Sequence, residues 1–173
     1  MEKDFNDPDF ILDIYYSNKG KLDQINAIID EKLKKKRQRK ISIFEYYIKS
    51  RLLKNPKILE MTALEINPAE AAYLSIYPEV YTVEKLVLRQ NCIGDRGLDA
   101  IANSKILTNL SELDLRNNQI TRIGMKKLMD SPNMKRLTKL DLRLNKMGGK
   151  IWFERLKETG KFPMLKEFRS GGL

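Results

Sequence analysis

Apolar residues recur along this chain in two rhythms. From Val83 onward a short phrase, apolar-x-x-apolar-x-apolar, returns as Val83, Leu86, Leu88, then Leu110, Leu113, Leu115, then Leu137, Leu140, Leu142, and begins again at Leu165 and Phe168. Alternation inside each phrase is the period of a strand buried on one face. The leading residues stand 27, 27 and 28 positions apart, and Asn91, Asn118 and Asn145 follow the first three phrases, with Ile93, Ile120 and Met147 two residues beyond. A fixed period of this length predicts one supersecondary unit stacked on copies of itself. Between the phrases, Leu98, Ile101, Ala102 and Ile106, then Leu128, Met129 and Met134, predict one helix per unit, with Trp152, Phe153 and Leu156 as core in the third.

Ahead of Val83 the rhythm is helical. Asp7-Pro8-Asp9 reads as a helix start leading into Phe10 to Tyr15, and Asn18-Lys19-Gly20 as its end. A second helix is expected from Lys21, with Leu22, Ile25, Ile28, Ile29 and Leu33 on one face. Ser42-Ile-Phe-Glu45 reads as a capping box that opens a third helix, ended by Asn55-Pro56. Met61-Thr-Ala-Leu64-Glu-Ile66 matches the strand phrase without its Asn. Asn67-Pro68-Ala-Glu70 then starts a helix over Ala71, Ala72, Leu74 and Ile76. The expected division is a helical arm over residues 1–58 and a stack over 59–173. The stack comprises a degenerate opening repeat 59–82, repeats 83–109, 110–136 and 137–164, and a partial repeat 165–173. Because the first unit of a stack exposes an apolar flank, the arm is expected to act as its cap.

The phrase L-x-x-L-x-L-x-x-N-x-I resembles the leucine-rich repeat, and its length resembles the ribonuclease-inhibitor-like class. Gly97 and Gly124, six residues after their asparagines, fit that class. The third repeat departs from it, with Gly148-Gly149 early and Ile151-Trp152-Phe153 at the glycine position, a difference expected to alter its helix and not its strand. The resemblance implies an α/β fold: a right-handed solenoid with a parallel concave sheet and convex helices, preceded by the α-helical cap. It also implies that Asn91, Asn118 and Asn145 form a structural ladder of hydrogen bonds to backbone at the bend after each strand.

Stacking parallel strands about 4.8 Å apart turns equivalent outward residues into columns. One column reads Lys85, Glu112, Lys139, Glu167 and alternates in sign; the next reads Val87, Asp114, Asp141, Arg169; the last reads Arg89, Arg116, Arg143. Two readings stand for these residues, Glu167 aside. One is an internal lattice, Asp114 with Arg116 and Asp141 with Arg143. The other is a partner-binding stripe whose guanidinium forks grip an acidic segment. Arg89 is the freest candidate, since its own strand carries Val87 in place of an acid.

Charge adds a second candidate. The formal net charge is +10 and the pI near 9.6. Residues 1–31 hold three Lys against eight Asp and Glu, whereas Lys32, Lys34, Lys35, Lys36, Arg37, Arg39 and Lys40 make seven cations among nine residues. That tract reads as a solvated helix end, as a nucleic-acid or other polyanion-binding patch, or as a nuclear import signal. The acidic first helix could fold back and neutralise it. Chemistry is narrowed more by absences: there is no histidine, one cysteine and no Gly-rich phosphate loop. No cofactor, metal or small-molecule substrate is expected, and no enzyme activity. Cys92, between Asn91 and Ile93, is expected to be a small buried thiol. No apolar run reaches membrane-spanning length and Met1 to Phe5 does not read as a leader, so an intracellular, cytoplasmic place is expected, or a nuclear one in a cell with a nucleus. After Phe168 only five residues remain, which predicts an open strand edge over Leu165 to Leu173. The function expected is a protein-interaction module, as scaffold, assembly subunit or effector, docking through the concave face and that edge. The alternative is a basic subunit of a ribonucleoprotein or other polyanion-bound complex.

Overall fold

The computed structural model describes residues 7–19, 21–34, 38–148 and 151–171. Three helices come first: α1 (Pro8–Ser17), α2 (Leu22–Lys34) and α3 (Ile41–Leu52). Strands and helices then alternate as β1 (Ile58–Glu60), α4 (Pro68–Ile76), β2 (Lys85–Val87), α5 (Gly94–Ala102), β3 (Glu112–Asp114), α6 (Arg122–Asp130), β4 (Lys139–Asp141), α7 (Trp152–Glu158) and β5 (Glu167–Arg169). The five strands form one parallel sheet in sequence order. Its register places Leu59, Leu86, Leu113, Leu140 and Phe168 in one row. A single apolar cluster runs from Phe10 on α1 to Leu165 before β5.

The 27-residue period reaches further back than the strand phrase suggested. The expected strand at Met61 to Ile66 is not one; β1 lies at Ile58–Glu60, so the opening repeat starts near Pro56, 27 residues before Val83. Leu64 thus occupies the position that Asn91 holds in the next repeat, which is why the phrase was misplaced by five residues. The backbone carries the period independently of side chains. Ala63, Gln90, Asn117 and Leu144, each 27 apart, all take left-handed φ values of 53–60°, a conformation that costs most residues about 1 kcal/mol or more. Asparagine visits it readily; Leu144 is held there by the ladder, donating its N–H to the Gly171 carbonyl at 3.0 Å.

Local chemistry sets the helix starts. Asp7 caps α1 by accepting from the Asp9 N–H at 2.9 Å, and Asn67 with Glu70 forms a reciprocal capping box on α4. The capping box expected at Ser42 and Glu45 does not form. Asp30, from α2, accepts from the Ile41 N–H and the Ser42 hydroxyl, both at 2.5 Å, and so caps α3 from outside. Glu45 is needed elsewhere. Its carboxylate accepts from Asn26 Nδ2 at 2.6 Å and from the Tyr77 hydroxyl at 3.2 Å, and Tyr73 donates to Asn26 Oδ1 at 2.9 Å. This buried network joins α2, α3 and α4.

In the third repeat the helix persists. α7 begins seven residues after Asn145, later than α5 and α6 after their asparagines. Trp152 is buried and donates its Nε1–H to the Gly148 carbonyl at 3.0 Å, while Phe153 stacks on Phe168 at 5.9 Å. Gly97 permits close packing of α5 on α4: a Cβ there would lie 2.6 Å from Ile93 Cγ2 and 3.0 Å from Ala71 Cβ.

Candidate functional site

The concave face is built by residues two apart on each strand, which project to the same side of the sheet. The observed register extends the three columns onto β1, adding Ile58, Glu60 and Thr62 ahead of Lys85, Val87 and Arg89. From β2 to β5 the face forms a shallow depression of roughly 320 Å3, bounded by Lys85, Glu112, Arg116, Lys139, Arg143 and Arg169 among others.

Electrostatically the depression is a lattice. Glu112 sits between Lys85 at 3.1 Å and Lys139 at 3.4 Å, and Lys139 reaches on to Glu167 at 3.7 Å. The hydrogen bond from Lys85, helped by Lys139 and only partly opposed by burial, holds the Glu112 carboxyl below its ordinary range. Arg116 and Arg143 each clasp the acid on their own strand. Arg116 Nε and Nη2 reach Asp114 at 2.9 and 2.6 Å, and Arg143 Nε and Nη2 reach Asp141 at 3.0 and 2.6 Å. Arg116 is also 3.6 Å from Asp141, tying the strands together. Burial alone would raise the Asp141 carboxyl, but hydrogen bonds from the Arg143 side chain and N–H, with the charge of Arg116, bring it below the usual range.

Two expected roles are corrected. Arg89 is not free: its Nε donates to the Thr62 hydroxyl at 3.2 Å and its Nη2 stands 3.9 Å from Glu60. Both partners belong to β1 and the turn after it, invisible while the opening strand was placed five residues late. Val87 is buried, so it contributes floor and little contact surface. The Nη1 groups of Arg89, Arg116 and Arg143 have no partner among the described residues, and the three side chains stay 42, 30 and 39% exposed. Arg169 is the most open, with Glu167 at 3.6 Å its acid. β5 has a strand neighbour on the β4 side alone among the described residues, which end at Gly171 in the stretch expected to form an open edge.

At the bend behind this face the three asparagines form a continuous ladder. Asn91 Oδ1 accepts from the Leu64 and Ile66 N–H groups while its Nδ2 donates to Met61 and Leu88 carbonyls. Asn145 repeats this arrangement two repeats later, accepting from the Asn118 and Ile120 N–H groups and donating to the Leu115 and Leu142 carbonyls. Asn118 donates to the Leu88 carbonyl at 2.8 Å. Buried amides are thereby satisfied. Two further ladders escaped the sequence reading, although each keeps the same period. Ser104 and Ser131 donate to the Ser75 and Ala102 carbonyls on the convex side, and Ser111 and Thr138 to Glu84 and Ser111 at the strand entries. Cys92, expected to be buried, is exposed. Asn91 and Ile93 on either side both point inward, and alternation sends the thiol out.

Within the basic tract one cation is engaged by the fold. Arg39 is no surface cation: its Nε and Nη2 donate to Glu70 at 2.6 Å each, its Nη1 donates to the Leu64 carbonyl at 2.8 Å, and it covers the Phe44 and Tyr47 rings. Lys32 lies over the Phe10 ring, Lys34 and Lys40 are exposed, and Lys35, Lys36 and Arg37 lie outside the described residues. At the start of α1, Asp7 and Asp9 pair with Arg96 on α5. Among the described residues no group of three or more His, Cys, Asp or Glu is placed to hold a metal, and no helix is long and apolar enough to cross a membrane.

A parallel sheet closed by one helix per strand, bent around an asparagine ladder, defines a stacked-repeat solenoid. Residues 82–102 and 107–129 match the leucine-rich repeat family model, so the unit that repeats there is the leucine-rich repeat. No curated protein matches the chain. Among solved structures it is similar to a chain described as Leiomodin-1 Actin-Binding Site 2 (ABS2), with a TM-score of 0.57 and 19% identity over 74% of this chain and 79% of that one. At that identity the likeness is one of fold.

Proposed function

We propose that this chain is a non-catalytic protein-docking module whose concave face receives an acidic segment of a protein partner. One observation carries the reading: three arginines stand at equivalent positions just after consecutive strands, each with an Nη1 that has no partner among the described residues, and Arg116 and Arg143, oriented by their own acids, line the depression. A guanidinium already oriented by an internal carboxylate loses little freedom when it takes a second one. The fold lends support, since leucine-rich repeats present a broad rigid sheet and the solved structure it is similar to is named as an actin-binding site. In this reading Arg169 and the β5 edge extend the surface, and α1 to α3 act as the cap of the first repeat. The packing of α1 on α4 and of α3 on β1 supports that role.

Capture from native lysate by the full chain and by an Arg89→Gln, Arg116→Gln, Arg143→Gln variant tests it. The expected result is a protein partner retained by the parent and lost by the variant. A partner held equally by both, or a captured nucleic acid released steeply as salt rises from about 50 to about 200 mM, overturns the reading.

A further inference from the structure

The basic run is offset by the acids of residues 1–104, which together sum to +1. Residues 105–173 hold sixteen Lys and Arg against seven Asp and Glu, so nine of the ten net charges belong to the last repeats. Part of that excess gathers on the convex side, where α6 meets α7. A pocket of roughly 280 Å3 there is lined by Arg122, Lys126, Met147, Gly148, Ile151, Trp152 and Arg155: three cations and no carboxylate. All three cations are exposed.

The pocket is built, not incidental. Arg122 is fixed at its base by donating Nε–H to the Met147 carbonyl at 3.1 Å, which leaves its Nη groups forward, and Gly148 keeps a Cβ out of their way. Arg155 lies 5.4 Å over the Trp152 ring, a cation placed on an aromatic face. Two acids of the helices on this side, Asp95 of α5 and Glu154 of α7, are engaged elsewhere. Asp95 accepts from the Thr121 N–H at 2.7 Å and hydroxyl at 2.6 Å, and Glu154 pairs with Lys157 at 3.4 Å. Arg39, Arg89, Arg96, Arg116 and Arg143 each have a carboxylate within 4 Å; this pocket gathers three cations with no carboxylate in its lining.

We propose that this convex pocket binds a phosphate monoester carried on a serine or threonine of a protein partner. Two guanidinium groups and one ammonium suit a compact group of charge near −2 with three acceptor oxygens. Ile151 at the pocket wall and Ile123 beside Arg122 are both exposed and offer apolar footing to residues flanking the phosphate, which a free ion or a sugar-phosphate strand would not use. This surface faces away from the concave sheet and does not depend on the docking reading given for it.

Trp152 is the chain's one tryptophan, so its emission reports on the pocket directly. The full chain is titrated with a five-residue peptide bearing phosphoserine between leucines, its unphosphorylated twin, inorganic phosphate and a single-stranded oligonucleotide. The phosphopeptide is expected to shift Trp152 emission and to bind at least about tenfold more tightly than its twin and than inorganic phosphate. Lys126→Glu, an exposed change, and Arg122→Gln are each expected to weaken it by about tenfold. Equal binding of the two peptides, unchanged affinity in both variants, or an oligonucleotide that binds more tightly and is lost in the same variants would overturn the proposal.

Discussion

The two ends of this solenoid handle polar residues in opposite ways. At the N-terminal end, charges go inside. Arg39 and Glu70 clasp each other between the chain ahead of α3 and the first repeat, and Glu45 is buried among Asn26, Tyr77 and Lys49. Burial and the Glu45 charge push the Tyr73 and Tyr77 phenols well above their ordinary range, so they stay neutral donors. At the C-terminal end the charges stay at the surface, as the Asp–Arg clasps on β3 and β4 and the acid-free pocket beside α7. The same repeat therefore yields one end specialised for a unique, rigid junction and another with cations oriented toward solvent.

The largest break in that contrast should come from the buried end. Tyr73 is fully buried, edge-on to Phe44 at 6.3 Å and hydrogen-bonded to Asn26. Tyr73→Ala is expected to cost about 3–5 kcal/mol of unfolding free energy in urea titration, and Tyr73→Phe about 1 kcal/mol, through the lost hydrogen bond. Arg39→Gln follows at about 2 kcal/mol, since it leaves the nearly buried Glu70 carboxylate without its ion partner. The figure is held below that of a fully buried pair because Arg39 is a quarter exposed.

What was legible in the chain divides along the same line. The repeats from Val83 on could be read because alternation at Leu86, Leu113 and Leu140 recurs with a recognisable marker, the asparagine, at a constant offset. The register that followed placed Lys85, Glu112 and Lys139 in one column, as the sheet has them. The first repeat was misread because Leu64 replaces that marker and Pro56 the leading leucine, which left Met61 to Ile66 as the better local match. With Glu60 and Thr62 out of place, Arg89 looked unpaired. Tertiary contacts hid the remainder. Local spacing offers a capping box at Ser42 and Glu45, but a buried phenol and an amide from other helices compete for Glu45, and Asp30 takes over the cap. Arg39 sits in a run of cations whose composition says nothing of an acid thirty-one residues away.

On the exposed end the corresponding change should be nearly silent in stability. Arg116→Gln removes a partly exposed clasp whose carboxylate, unlike that of Glu70, keeps some access to water, so a loss within about 1 kcal/mol is expected. The contrast with Arg39→Gln is the informative measurement. If both cost the same, the C-terminal lattice is as structural as the N-terminal junction and its arginines have no spare role in docking.

The smallest effect is a pH dependence located in one carboxyl. Glu112, between Lys85 and Lys139, titrates lower in the folded chain than an ordinary glutamate. A depressed folded value means that its contribution to stability is present above the unfolded carboxyl range, near pH 4.3, and is lost as pH falls through the folded value. Glu112→Gln should therefore lower the urea midpoint slightly at about pH 7, by a few tenths of a kcal/mol given its partial exposure, and the two proteins should converge at about pH 2. Raising salt should shrink the gap at pH 7, because two of the three side chains involved are nearly half exposed. A gap that stays constant from neutral to acid pH would mean that the lysines contribute nothing through charge, and that this column of the concave face is held by strand pairing alone.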